Sequence, residues 1–327
     1  MKALVYTGPE QLEFRDVPDA VAGTDEVLVR IHSSGICGSD MHAYLGHDER
    51  RPAPLILGHE AAGTVVGGAL DGKRVTINPL VTCQTCTHCR SGRANLCAKR
   101  QIISMQPREG AFTEWVAMPE RNLVAIPDDL SFDKAALAEP LACGWHTVRL
   151  SIEALHGEAG TAKALVIGGG AIGLGAALAL RAFGVASVSV AETNPLRWPA
   201  LEQCGFAILG ADTVPDAGFD LVIDGVGYAA TRATACRAVT AGGVIGHIGL
   251  GESTGGLDVR RMTLQEITFI GTYTYTPDDF RATVSAIASG ALGSLDWMQT
   301  MPLALGAEAF QDIRAGRMAA PKVILKP

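Results

Sequence analysis

The 327-residue chain has no excess of positive charge: 27 lysines and arginines stand against 34 aspartates and glutamates, a formal net charge of −7. No basic run compensates locally, which excludes the counterion-displacing face that a duplex binder needs. Long apolar runs are missing as well. The longest uncharged stretch, Ala164 to Leu180, is interrupted by glycines and falls short of the ~20 apolar residues that span a bilayer. Low-complexity tracts are absent, so nothing argues for disorder, and 48% hydrophobic with 19% charged residues is the composition of a compact enzyme. The opening MKALVYTGPEQLEF lacks the uninterrupted apolar segment of a secretory signal and reads as a strand and turn. The expectation is a soluble cytoplasmic protein of two domains whose partners are small molecules, with neither nucleic acid nor membrane among them. A disulfide framework is not expected in that reducing compartment.

Cysteine is nevertheless concentrated. CQTCTHCRSGRANLC puts Cys83, Cys86, Cys89 and Cys97 into one short polar loop. Two-residue gaps let a tight turn aim several sulfurs at one point, and four thiolates complete a tetrahedral zinc shell with no position left for a substrate. The spacing therefore points to a structural zinc lobe, about residues 80–100, and leaves His88 as a solvated loop residue. A redox role for the CxxC pairs would need a thioredoxin-like βαβ setting, which is not there. The chemistry has to lie elsewhere.

Two further stretches offer an open metal site. VLVRIHSSGICGSDMHAYLGH begins as a strand, with Val27, Val29 and Ile31 alternating, then breaks into a short helical turn that Ser39 or Asp40 could cap. LILGHEAAGTVV places His59 and Glu60 directly after a glycine. A thiolate, an imidazole and a carboxylate from separate loops suit zinc with a free position. Downstream, KALVIGGGAIGLGAALALRAFG is a strand, a glycine turn and a helix. The turn reads Gly168-x-Gly170-Ala171-Ile172-Gly173, and Glu192 ends the next strand at about the 20-residue distance expected of a ribose-binding acid. Such an arrangement seats a pyrophosphate on a helix N-terminus. A carboxylate at Glu192 favours NAD over NADP, while Arg197 nearby could tolerate a phosphate. FDLVIDGVG, GGVIGHIGL and ITFIGTYTY continue the α/β rhythm, and PKVILKP reads as a last strand returning to the first domain.

Cys37-Gly-Ser-Asp-Met-His42, Gly58-His-Glu60, the CxxCxxCx7C loop and Glu139-Pro-Leu141, in this order, resemble the zinc-dependent medium-chain alcohol dehydrogenases, and most of all their sorbitol, butanediol and threonine dehydrogenase branch. The resemblance covers nearly the whole chain. It implies that Cys37 and His59 bind a catalytic zinc, that Glu60 binds it or stands beside it, and that Glu139 is a further ligand, direct or through water. Asp40 would orient the histidine ligand, and Ser39 with His42 would form a proton relay. Cys143 does not match a ligand and reads as a buried thiol. Ile248, Gly249, Leu250, Tyr273 and Thr274, with Tyr275, match positions near the nicotinamide.

The fold this implies is α/β: a GroES-like β-rich catalytic domain, 1–146 and 276–327, with a Rossmann doubly wound parallel-sheet domain, 147–275, inserted. Zinc and nicotinamide would face one cleft. The expected activity is a hydride transfer between a secondary alcohol, diol or sugar alcohol and NAD, with two zinc ions per chain and a homodimer or homotetramer as the assembly. Thr274-Tyr275 stands where sorbitol-type relatives carry Arg-Tyr, which puts a sorbitol-like polyol in doubt. Tyr44, Phe112, Glu114 and Tyr275 are candidates for lining the pocket. The stretch GTVVGGALDGKRV is shorter than is usual in the family, as if a surface loop were trimmed. A sugar-phosphate dehydrogenase would need a basic pocket, for which Arg50, Arg51 and Arg108 are candidates. A non-catalytic nucleotide-binding protein on the same fold is the alternative of another class.

Overall fold

The computed structural model describes residues Met1–Pro327. It divides into two compact units, one of Met1–Glu139, Thr276–Ser289 and Leu295–Pro327, the other of Pro140–Tyr275 with Gly290–Ser294. The division falls before the residue 146 expected from sequence. The helix Ala138–Glu153 runs continuously through that point, so most of it packs with the second unit. Gly290–Ser294, placed by sequence in the first domain, also groups with the second.

The first unit is built on a seven-stranded sheet around Glu26–Gly35, which pairs antiparallel with Glu60–Val66, with Trp115–Pro119 and with Lys322–Lys326. Val27, Val29 and Ile31 bury one face of that central strand, the period-2 pattern of a half-buried sheet. Gly35 is flanked by Glu60 on one side and by Ile324 on the other. The last strand thus lies between Glu26–Gly35 and the edge strand Met298–Pro302, and its Lys322 reaches Glu60. The helix Pro277–Ala288 also belongs to this unit. Thr276 caps it, its Oγ accepting from the Asp279 N–H at 3.1 Å while the Asp279 carboxylate accepts from the Thr276 hydroxyl at 2.7 Å.

The second unit holds a six-stranded parallel sheet. Its strands Lys163–Ile167, Ser187–Ala191, Ala207–Leu209, Phe219–Asp224, Val239–His247 and Thr268–Gly271 lie in the spatial order 3-2-1-4-5-6. That is the doubly wound dinucleotide-binding order, with its switch point between the first and fourth strands. The first strand is buried from Ala164 to Ile167, which explains its unbroken apolar run. No helix is long and apolar enough to cross a membrane.

Candidate active site

Cys37 is the N-cap of the helix Gly38–Tyr44, and His59 precedes the strand Glu60–Val66. Their donor atoms, with a Glu60 carboxylate oxygen, all lie within 4.8 Å of one another. Asp40 ties this together. It is fully buried, accepts from the Cys37 N–H at 2.9 Å and the Gly58 N–H at 3.2 Å, and approaches His59 Nδ1 to 3.5 Å. Nδ1 also lies 3.4 Å from the Ser104 hydroxyl, which leaves Nε2 as the nitrogen for a metal. Burial alone would push the Asp40 carboxyl up, but the His59 ring beside it holds the pKa below the ordinary value. Burial likewise opposes a charged His59, yet Asp40 and Cys37 raise its pKa well above normal.

Glu60 has no exposed surface. One oxygen accepts from the Lys322 ammonium at 2.6 Å, and the other has no hydrogen-bond partner. That unpartnered oxygen lies against Gly35, where a Cβ would come within 2.1 Å of it. Side chains two residues apart share a face of a strand, so Lys322 sits on the face of Ile324, the neighbour of Gly35. The ammonium and the carboxylate meet across the missing side chain. Lys322 is itself buried and also donates to the Ile36 carbonyl at 2.8 Å. Burial acts against its charge, but Glu60 and Cys37 outweigh that and raise its pKa. An orphaned carboxylate oxygen beside a thiol and an imidazole is what a bound cation would satisfy, so the donor set fits zinc.

Glu139 is buried in the first turn of the helix Ala138–Glu153 and its charge acts on Lys322, but it is not one of the three residues gathered here. Ser39 and His42 lie on the helix Gly38–Tyr44, His42 exposed. Cys143 is buried, its carbonyl accepting from the Thr147 hydroxyl at 2.9 Å. The pocket expectations for Tyr44 and Phe112 are corrected. Both are core residues packed on Phe310, at centroid distances of 5.2 and 6.0 Å. Tyr275 is fully buried, and Glu114 accepts from the Lys2 N–H at 2.7 Å, joining the chain's start to the sheet. Of the three basic candidates, Arg51 is internal, Arg108 pairs with Glu26 at 2.8 Å and Arg50 with Asp48 at 2.8 Å.

Cys83, Cys86, Cys89 and Cys97 form the second cluster, with no disulfide among them. Cys86 caps the short helix Thr87–Arg90, and Cys97 closes the turn Ala94–Leu96. Four sulfurs bound to one zinc at ~2.3 Å would stand about 3.8 Å apart. The distances are 3.5 Å for Cys86 to Cys89, 3.5 Å for Cys83 to Cys97 and 3.9 Å for Cys83 to Cys89. The Thr85 N–H and hydroxyl lower the Cys83 pKa to about 5, while burial and the Cys86 thiol raise Cys89 to about 11. Four sulfurs converging at these distances are an arrangement a cation would complete. His88 is exposed, as expected.

In the second unit Gly168–Gly173 connects the first strand to the helix Ala171–Ala182, whose N-cap Gly170 supplies no side-chain cap. The first N–H groups of that helix stay available to an anion. A Cβ on Gly173 would sit 1.8 Å from the Gly168 carbonyl oxygen. Gly173→Ala is therefore expected to push the turn open, weakening binding of a reduced nicotinamide dinucleotide by about 10-fold or more in a fluorescence titration. Glu192 is buried beside this turn, accepting from the Gly169 N–H at 2.7 Å, the Asn194 N–H at 2.7 Å and Arg197 at 3.2 Å. Ile248 and Gly249 both donate to the Asp224 carbonyl at the end of the fourth strand, and Leu250 is exposed. Thr274 has a left-handed φ of 48° and a buried hydroxyl without a partner, and Tyr273 precedes it.

Sequence reasoning missed Lys322, Ser104 and the burial of Arg51. Lys322 opens the strand Lys322–Lys326, whose three middle residues are apolar, but its partner lies 262 residues away, beyond any local pattern.

Residues 23–128 match the alcohol dehydrogenase GroES-like domain and residues 171–289 the zinc-binding dehydrogenase family. The chain is 32% identical over 312 residues to a sorbitol dehydrogenase of Bacillus subtilis (strain 168), covering 89% of this chain and 86% of the relative. It is 32% identical over 331 residues to the L-galactonate-5-dehydrogenase of Escherichia coli (strain K12), covering 95% and 94%. Among solved structures it matches a zinc-binding dehydrogenase from Sinorhizobium meliloti 1021 bound to NADP, with a TM-score of 0.88 and 26% identity over 100% of this chain and 99% of the other. The chain belongs to the zinc-dependent medium-chain alcohol dehydrogenase family. It is an oxidoreductase with a GroES-like domain and a Rossmann domain, as its motifs led one to expect.

Proposed function

We propose that the protein transfers a hydride between a secondary alcohol, diol or sugar alcohol and NAD, giving the ketone or aldehyde, with one catalytic and one structural zinc per chain. The observation that carries this reading is the gathering of Cys37, His59 and Glu60 with one buried Glu60 oxygen left unpartnered. Zinc bound there supplies a Lewis acid for the alcohol oxygen, and NAD a hydride acceptor. Asp40 and Ser104 hold the His59 ring from its Nδ1 side. Ser39 takes the hydroxyl proton, and His42, on the same helix and exposed, releases it to water. Glu139, whose charge acts on Lys322, would be a further carboxylate for the metal, direct or through water. Cys83, Cys86, Cys89 and Cys97 hold the second ion and stiffen their loop.

Two relatives, named for sorbitol and L-galactonate, support a polyol or sugar-derived alcohol as the substrate class. A sugar phosphate is less well supported, because Arg51 is buried and committed to internal acceptors. NAD is favoured because the Glu192 carboxylate stands where a 2′-phosphate would be repelled, and the Arg197 charge is already paired with it. Glu192→Ser is expected to shift the kcat/KM ratio toward NADP by about 10-fold or more.

The test is NADH formation across secondary alcohols, diols, polyols and polyol phosphates, with NAD and with NADP, on protein of measured zinc content. Turnover with NAD on one class is the expected result. Silence across the panel with two zinc ions bound per chain would overturn it in favour of a nucleotide-binding role without this chemistry.

A further inference from the structure

We propose that Arg51 is a positioning residue of this active site, a single buried guanidinium that holds the Ser39 hydroxyl and, through Ser104, the ring of His59. The inference rests on the roles given above to Ser39 and His59. Arg51 lies between the helix Gly38–Tyr44 and the strand Leu55–Ile56 and is only 2% exposed. Its Nε donates to the Ser104 carbonyl at 2.9 Å. Nη1 donates to the Ser39 carbonyl at 3.2 Å and to Asp48 at 2.7 Å. Nη2 faces the Ser39 and Ser104 hydroxyl oxygens, both at 3.4 Å.

A guanidinium has five N–H donors, and here each has an acceptor, so Arg51 has no capacity left to receive a ligand. Its charge is answered by Asp48. Burial raises the pKa of that carboxyl, but the hydrogen bonds from Arg50 and the charge of Arg51 bring it below the ordinary value. Burying such a pair is costly, and a loop could be stapled by apolar packing instead. What the pair achieves is direction. A serine oxygen that accepts from Arg51 must turn its own proton away, which leaves the Ser39 O–H pointing to other partners. Ser104 has no exposed surface and takes a left-handed φ of 72°, a conformation that needs support in a non-glycine residue. With one lone pair turned to Arg51, its oxygen keeps the other for the ring N–H of His59, 3.4 Å away. One planar fork thus fixes two hydroxyls in a geometry that Lys, a point charge on a flexible stem, would not reproduce.

The experiment compares Arg51→Met and Arg51→Lys with the wild type, all prepared with excess zinc and of measured zinc content and melting temperature. The His59 ring N–H is followed by NMR with nitrogen-15 histidine, and kcat and KM are measured on the alcohol the wild type oxidises best. For Arg51→Met the expected results are a displaced His59 signal with the other seven of the 8 histidines unmoved, kcat lowered about 10- to 100-fold, and KM within about 3-fold. Arg51→Lys should give intermediate values, and these decide the matter if Arg51→Met does not fold. Wild-type kcat and ring signal in the folded variant, or loss of zinc and kcat together in both variants, would overturn the proposal and leave Arg51 a loop staple. If the wild type oxidises no alcohol, the proposed reaction fails, while the ring signal still decides the role of Arg51.

Discussion

A Cys37→Ser variant is expected to lose turnover by about three orders of magnitude or more while retaining NADH binding and one zinc per chain. The magnitude follows from Lewis-acid stabilisation worth several kcal/mol, each 1.36 kcal/mol being tenfold in rate. Retention of one zinc follows from the separation of the donors, since the four-thiol cluster shares no residue with the Cys37 set. The converse variant, Cys89→Ser, should fail differently. It is expected to lose the ion proposed for the four-thiol cluster, and with it stability, because the energy of binding a structural zinc is part of the folding energy. Metal analysis beside a rate and a melting curve separates the two. Two zinc ions on Cys37→Ser, or undiminished turnover with one, would remove Cys37 from the metal.

The second large effect is on stability. In the zinc-free protein, Lys322→Met leaves the buried Glu60 carboxylate without its counter-charge, and the loss expected for breaking such a pair is about 3–5 kcal/mol. Glu60 cannot escape to water, because it has no exposed surface and one oxygen is already without a partner. The double variant Lys322→Met with Glu60→Gln should recover much of the loss, since it removes the unpaired charge as well as its partner. Denaturation of the three zinc-free proteins, followed by a probe in the first unit, measures this coupling. Additive losses would mean that the 2.6 Å contact contributes nothing of its own.

Much of the site was legible because its parts are local. Cysteines at two-residue gaps converge wherever the chain turns tightly, so the Cys83 to Cys97 cluster needed no knowledge of the rest of the molecule. The glycine turn and Glu192 were readable for the same reason, a strand and helix placing them in register within one βαβ unit. Patterns of burial were harder. Tyr44 and Phe112 look like pocket aromatics in a sequence near ligands, yet both fill the core against Phe310, which arrives from the far end of the chain. Nothing in the charged run Asp48-Glu49-Arg50-Arg51 marks Arg51 as the buried one, which only the fold decides.

The sequence by itself determined the chemistry on offer: which thiols, imidazoles and carboxylates exist, the two metal-ligating patterns, the dinucleotide turn and the parallel-sheet rhythm. Tertiary structure alone decided what surrounds them. The sheet order sets Gly35 between Glu60 and Ile324, so a lysine 262 residues from Glu60 becomes its counter-ion. The loop carrying Arg51 folds inward onto Ser39 and Ser104. Ligand spacing is set by a few bonds of backbone, whereas charge compensation in a buried site depends on which distant strand pairs where, and that is settled only when the sheet closes.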